Sequence, residues 1–213
     1  VFCQDPDADR LAVIDQAGNY IGEEYTLAIT LTHALESQTG NVVTNCSSSR
    51  MSADICESNN STLHLSAVGE ANVTGRMIEL GAVYGGEGNG GPIDPRVGYV
   101  RDSFVAIAQI LDAMAATGKS VTRLKAAIPA YAIHKSKFAL APESITTLYE
   151  HLRQQFPDAN VSTMDGLRLD WPDSWMLVRP SNTEPVVRAI AEARSAEAAE
   201  KLCDAAEATA ASL

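Results

Sequence analysis

Between residues 23 and 84 the sequence changes period repeatedly, and this alternation limits the fold more than any other feature. Glu23-Glu24 open a helical stretch that places Leu27, Leu31 and Ala34 on one face, with its acidic residues at the positive helix start. Asn41-Val42-Val43-Thr44-Asn45 is β-rich. Residues 51–59 read as a weaker helix, 62–65 as a strand, 76–80 as a short helical piece and 81–84 as a short apolar strand. Such alternation favours an α/β layered domain with parallel strands.

The flanking segments read differently. Residues 1–3 and 11–14 look like strands, the first the end of a buried one, and 16–21 like a turn and return. Residues 103–116 form a helix apolar on most sides, read as core, with Asp102 or Ser103 as its cap. After Thr117-Gly118-Lys119-Ser120 the pattern changes. Residues 130–140, 167–169 and 175–178 are strand-like, and Asp165-Gly166 is a turn. Residues 142–156 are an amphipathic helix striped by Ile145, Leu148, Tyr149, Leu152 and Phe156. Residues 195–212 are an alanine-rich helix faced by Ala199, Leu202, Cys203 and Ala206.

Length and composition allow one large domain or two ordinary ones: 213 residues, 46% hydrophobic. A net charge of −11 argues against nucleic acid as a partner. No apolar run approaches the roughly 18 residues that cross a bilayer, and no basic-then-apolar leader opens the chain, so a cytoplasmic location with no membrane partner is expected. Cys3, Cys46, Cys56 and Cys203 form no C-x-x-C pair. A Cys46–Cys56 disulfide fits by count alone, but a chain this large needs no staple, and free thiols are the expectation.

The chemistry is concentrated in three stretches. In Gln4-Asp5-Pro6-Asp7-Ala8-Asp9-Arg10, alternate residues of an extended or looped backbone point the same way, so Asp5, Asp7 and Asp9 can converge. Three crowded carboxylates suit a hard cation such as Mg²⁺, and Arg10 adds a planar fork for phosphate. An acidic surface loop is the bland alternative. A calcium EF-hand fails, because its glycine and glutamate positions hold Arg10 and Gln16. A phosphatase with Asp5 as nucleophile is a rival.

The second stretch is Tyr84-Gly85-Gly86-Glu87-Gly88-Asn89-Gly90-Gly91. Its five glycines let the backbone approach a ligand, and Glu87 and Asn89 offer the donors and acceptors that adjacent sugar hydroxyls need. A flexible linker is the alternative. No dinucleotide fingerprint or P-loop is present, and Thr117-Gly118-Lys119-Ser120 lacks the upstream glycine spacing. The third stretch is Arg179-Pro180-Ser181-Asn182-Thr183-Glu184-Pro185 with Arg188 beyond. Two arginines flank hydroxyl and amide side chains in a proline-tightened loop, a combination that suits phosphate. An ordinary polar turn is its bland reading. His33, His64, His134 and His151 show no ligand spacing.

All three stretches, in this order, resemble the α-D-phosphohexomutases: phosphoglucomutase, phosphomannomutase and phosphoglucosamine mutase. DPDADR resembles their metal loop, GGEGNGG their sugar-recognition loop and RPSNTEP-x-x-R their phosphate-binding loop. The resemblance implies a division into the tail of a second mutase domain (residues 1–22), a complete α/β/α domain (23–118) and a smaller α+β domain with an antiparallel sheet (119–213). It implies Mg²⁺ on Asp5, Asp7 and Asp9, a catalytic Arg10, sugar contacts by Glu87, Asn89 and Gly69, and phosphate contacts by Arg179, Ser181, Asn182, Thr183 and Arg188. The implied reaction moves phosphate between C1 and C6 of a hexose through a phosphoserine and a bisphosphate. The family's serine loop, Thr/Ser-Ala-Ser-His-Asn-Pro, is not in this sequence, so the expected partners are a phosphosugar and absent N-terminal mutase domains, and no turnover is expected of the chain alone. Arg96 stands where a histidine is expected, which leaves the general acid–base group open. A non-catalytic sugar-phosphate binding module is the third reading.

Overall fold

The computed structural model describes residues 1–181 and 186–213. The chain divides into two compact units, Val1–Ala130 and Tyr131–Leu213. Among the described residues no helix is long and apolar enough to cross a membrane.

The first unit begins with an antiparallel ribbon of β1 (Phe2–Gln4) and β2 (Leu11–Val13), with Gln4 opposite Leu11. Only the second strand is buried. Cys3 is exposed while Leu11 and Val13 are fully covered, which corrects the expectation of a buried first strand. Next come α1 (Glu23–Ser37), β3 (Asn41–Asn45), α2 (Met51–Ser58), β4 (Thr62–Ser66), α3 (Glu70–Leu80), β5 (Tyr84–Glu87), β6 (Gly91–Ile93), α4 (Ser103–Thr117) and α5 (Val121–Ala126). The sheet order is β4-β3-β5-β6. β3 runs parallel to β4 and β5, and β6 is antiparallel to β5.

Two adjacent glycines show how tightly the layers close on this sheet. A Cβ on Gly85 would overlap Met77 of α3, and one on Gly86 would come within 2.7 Å of Leu27 of α1. Successive strand residues face opposite sides, so α3 and α1 lie on opposite faces, the α/β/α arrangement expected from the period changes. Val43, Val73, Met77, Ala82 and Ile93 form the core on the α3 side.

Several boundaries differ from expectation. α3 starts at Glu70 rather than 76, and Gly81 ends it in the left-handed conformation (φ +58°), so β5 begins only at Tyr84. On α4, Asp102 is the cap, accepting from the Phe104 and Val105 amides at 2.8 and 3.1 Å. That helix is not all core: Phe104 and Leu111 are exposed.

The second unit carries β7 (Ala132–Phe138), a 3-10 turn (Pro142–Ser144), α6 (Ile145–Gln155), β8 (Asn160–Ser162), β9 (Leu167–Asp170), β10 (Trp175–Pro180), β11 (Val187–Ala193) and α7 (Ala196–Ala211). Its five strands lie in the order β7-β11-β10-β9-β8, every neighbouring pair antiparallel. One face is covered by the helices: Leu148 and Leu152 of α6 and Cys203 and Ala206 of α7 meet Leu167, Leu169, Met176, Val178, Ala189 and Ala191. Each large side chain so buried contributes about 1.5–3 kcal/mol. All four cysteines are free thiols.

Candidate functional site

The acidic loop is the connection between β1 and β2. Its turn closes through the Ala8 amide on the Asp5 carbonyl at 3.1 Å, with Ala8 itself left-handed (φ +59°). The first turn of α4 holds the loop in place. The Ser103 hydroxyl donates to the Ala8 carbonyl at 2.6 Å and accepts from Gln4 Nε2 at 2.6 Å.

The loop gathers its carboxylates. One oxygen each of Asp5, Asp7 and Asp9 lies within 4.8 Å of the others. Asp5 accepts from the Arg10 amide at 3.1 Å and from Arg10 Nε at 2.6 Å. Desolvation pushes the Asp5 carboxyl up, but these Arg10 bonds outweigh it and bring it down to about 2. Asp9 moves the other way: burial raises it, although Arg101 opposes the shift. Asp9 Oδ1 is buried and accepts no hydrogen bond among the described residues, although Arg10 Nε lies 3.4 Å away as an ion-pair partner. Buried acceptors in native structures are normally satisfied, so three converging carboxylates with one unmet oxygen fit a hard divalent cation.

The glycine-rich stretch is a β-hairpin rather than a loop. Glu87 ends β5 opposite Gly91 of β6, and residues 88–90 make the turn. Gly90 has φ +90°, and a Cβ there would lie 2.7 Å from the Leu11 carbonyl. Its own carbonyl accepts from the Leu11 amide at 2.9 Å, so the hairpin is tied directly to β2.

Glu87 is only 3% exposed, and its carboxylate is held from four sides. Oε1 accepts from Asn45 Nδ2 at 2.6 Å and from the Gly69 amide at 3.1 Å. Oε2 accepts from Arg101 Nη1 at 2.6 Å, with Asn89 Nδ2 at 3.5 Å. Arg101 also pairs through Nη2 with Asp9, and its backbone amide donates to Glu70 at 2.7 Å. Gly91 makes room for this side chain, since a Cβ there would sit 2.5 Å from Arg101 Cδ. Asn89 Oδ1 is a second buried oxygen without a hydrogen bond. A cleft of about 290 Å³ opens beside it, lined among others by Gln4, Asp5, Arg10, Tyr20, Glu23 and Asn89.

The structure thus brings Asp5, Asp7, Asp9, Arg10, Glu87, Asn89 and Gly69 into one unit, with Gly69 facing Glu87. Two residues with no predicted role stand at the junction. Arg101 bridges Asp9 and Glu87. Asn45 holds Glu87 while its Oδ1 accepts from the Ser47 amide at 2.9 Å and the Ser48 hydroxyl at 3.0 Å. Asn45 had a readable signal, because it ends a parallel strand, where α/β sheets place their ligands. Arg96 is a partner of Asp94, with Nη2 at 2.6 Å.

In the second unit, Arg179 on β10 lies directly opposite Arg188 on β11. Arg179 Nε donates to Asp165 at 3.1 Å, and the Ser181 amide donates to the Val186 carbonyl at 2.8 Å. Asn182 and Thr183 lie outside the described residues.

Comparison with known proteins bears on these arrangements. Residues 22–131 match the model of phosphoglucomutase/phosphomannomutase alpha/beta/alpha domain III, and residues 142–209 match that of the C-terminal domain of the same family. The chain belongs to the phosphoglucomutase/phosphomannomutase family. Among this family's curated members, a probable phosphoglucosamine mutase of Methanosarcina acetivorans is 34% identical over 91% of the chain and 44% of its own length. A phosphoglucomutase/phosphomannomutase of Thermococcus kodakarensis is 33% identical over 92% of the chain and 43% of its own length. A crystal structure of a family protein from Burkholderia thailandensis superposes with a TM-score of 0.80 at 26% identity, covering 98% of the chain and 45% of that protein. The chain therefore spans under half the length of these family members.

Proposed function

We propose that this chain supplies the metal-binding, sugar-recognition and phosphate-holding parts of a phosphohexomutase that interconverts hexose 1-phosphates and 6-phosphates. In this reading residues 1–22 belong to the domain with the metal loop, the rest of Val1–Ala130 to that with the sugar hairpin, and Tyr131–Leu213 to that with the phosphate segment. The phosphoserine that donates and recovers phosphate, through a bisphosphorylated sugar, comes from mutase domains outside this sequence.

One observation carries the reading: a single guanidinium, that of Arg101, joins Asp9 of the acidic loop to Glu87 of the glycine hairpin. A cation-binding loop and a hydroxyl-binding hairpin that share a side chain belong to one site. Asp5, Asp7 and Asp9 would hold Mg²⁺, which supplies charge stabilisation to a phosphoryl group in transfer. Arg10, at the mouth of the cleft, offers Nη donors to the same group. Asn89 presents its unmet oxygen to a sugar hydroxyl, and Glu87 stays ordered by Asn45, Gly69 and Arg101 as it accepts from a neighbouring one. Arg179, Ser181 and Arg188, with Asn182 and Thr183, hold the phosphate that is not reacting. Recognition of hydroxyls and phosphate by separate groups lets the sugar bind in both orientations.

The test is a coupled mutase assay on the longer natural protein with glucose, mannose and glucosamine 1-phosphates, Mg²⁺ and a trace of bisphosphate. Turnover on at least one sugar, abolished by Asp7→Asn, supports the reading. Absence of turnover on all three, with metal bound, defeats it.

A further inference from the structure

We propose that Ser48 is a positioning residue of the sugar hairpin: its hydroxyl fixes the turn that presents Asn89, and so sets the affinity for the sugar. The proposal rests on the reading of residues 84–91 as sugar-recognising and names a residue that the hairpin does not contain.

A ring of hydrogen bonds carries it. Ser48 lies in the run Ser47-Ser48-Ser49 shortly after β3. The Gly88 amide donates to Ser48 Oγ at 2.9 Å, and the Ser48 hydroxyl donates to Asn45 Oδ1 at 3.0 Å. Asn45 Nδ2 in turn donates to Glu87 Oε1 at 2.6 Å. The ring closes through the peptide that joins Glu87 to Gly88. One support therefore holds the side chain of Glu87 and the backbone of the residue after it. Ser48, Asn45, Glu87 and Gly88 are all buried, where polar groups need partners. A hydroxyl can accept and donate at once. An apolar side chain at position 48 would leave the Gly88 amide without its acceptor.

The turn is held from other sides as well. A Cβ on Gly88 would fall on the Glu24 carboxylate, and that carboxylate accepts from the Ser49 amide at 2.9 Å. The serine run thus meets Gly88 twice, directly through the Ser48 hydroxyl and by way of Glu24. On the far side of Asn89, the Gly90 carbonyl accepts from the Leu11 amide at 2.9 Å. Both chain neighbours of Asn89 are fixed, which leaves its half-buried side chain few directions to take. Ser48 is 4% exposed, so it acts through the turn and not on a ligand. A shift of about 1 Å in a binding group can cost about a hundredfold, so release of Gly88 is felt at Asn89.

The test is a double-mutant cycle on the longer natural protein. KM and kcat are read with whichever of glucose, mannose or glucosamine 1-phosphate it turns over fastest, and Mg²⁺ affinity and circular dichroism report folding. Ser48→Ala is expected to raise KM about tenfold, the scale of a buried amide left without a partner. Its kcat should change little, the signature of lost uniform binding, whereas a loss of folded protein would lower kcat and leave KM alone. Ser48→Thr, which keeps the hydroxyl, is expected to recover most of the loss. Asn89→Ala should raise KM by a similar factor in the unmodified protein and by little in Ser48→Ala, because the two residues act as one unit. If Ser48→Ala does not fold, Ser48→Cys, a near-isostere with a weaker acceptor, takes its place in the cycle. Additive losses, or a KM within about twofold of the unmodified protein's, would overturn the positioning role and leave the mutase reading standing. No turnover of any of the three sugars by the unmodified protein overturns both.

Discussion

Arg101 donates to Glu87 at 2.6 Å while its second terminal nitrogen pairs with Asp9. Glu87 is 3% exposed, so removing its cation leaves a buried carboxylate short of a partner. Breaking such a pair costs about 3 kcal/mol. Arg101→Met is expected to lower the stability of the chain by about that amount in urea unfolding. A loss under about 0.5 kcal/mol, the level of an ordinary surface change, would show that the bridge is ornamental.

Asn45 is expected to matter through a different route. Its amide both donates to Glu87 and accepts from Ser47 and Ser48. Asn45→Asp removes the donor at nearly constant volume and sets a second carboxylate against Glu87. Glucose 1-phosphate binding by the longer protein should fall at least about tenfold, as for a lost bond to a charged group, with Mg²⁺ affinity of the acidic loop little changed. Equal loss of both would show that the substitution unfolds the unit instead.

The thiols make a pH prediction. Burial pushes Cys56 from the ordinary 9.0 up to about 12 and Cys203 up to about 11. An acid whose folded value is raised favours the fold only while it is protonated. Its contribution is therefore intact below pH 9.0 and lost as pH climbs through the folded values. Burial likewise raises Tyr84. Urea midpoints should hold steady from about pH 7 to 8.5 and then fall progressively toward pH 11. In the native chain a thiol reagent at about pH 8 should label Cys3 first, since it is the exposed cysteine. Rapid labelling of Cys56 or Cys203 would contradict the burial.

Gly90 offers a backbone test. Its φ of +90° strains any side chain, and the Leu11 carbonyl would lie 2.7 Å from the added methyl. Gly90→Ala is expected to cost about 1–3 kcal/mol and to loosen the acidic loop with it, read as weaker Mg²⁺ binding. Gly18→Ala, also at positive φ but with nothing near its Cβ, should leave Mg²⁺ affinity intact.

The chain alone is expected to show no mutase turnover, because the serine loop is absent from the sequence. A coupled assay on the purified 213 residues checks this, and turnover near that of an intact mutase would overturn the role given to outside domains.

What could be read in advance follows from how directly each residue announces its environment. Val42-Val43-Thr44 has side chains that suit a pleat, and β3 falls where they stand. β5 was expected early, at 81–84 instead of Tyr84–Glu87, since Gly85 and Gly86 have no strand preference and are there because α1 and α3 leave no space for a Cβ. The full length of α3 was hidden by Gly75 in its middle and a glycine cap at Gly69. Residues 187–193 were assigned no element and only Arg188 among them was singled out, although the alternation of Val187, Ala189 and Ala191 with Arg188 and Ile190 is that of β11. Of the site, the acidic triplet was legible because its spacing alone makes the carboxylates converge. The role of Arg101 was not, because its contacts lie 92, 31 and 14 residues away along the chain, at Asp9, Glu70 and Glu87.

The close packing around Gly85 and Gly86 has a consequence for how such a site can diverge. Any side chain added at either position must displace Met77, Leu27 or neighbouring backbone, so these two positions of the strand leading to Glu87 are closed to larger residues. Gly88 is closed as well, since a Cβ there would meet the Glu24 carboxylate, so under the proposed reading Asn89, which lines the cleft, is where a descendant can trade one hexose for another. A glycine-rich spelling retained in a relative is then a record of this packing, and by itself no witness that the relative still catalyses.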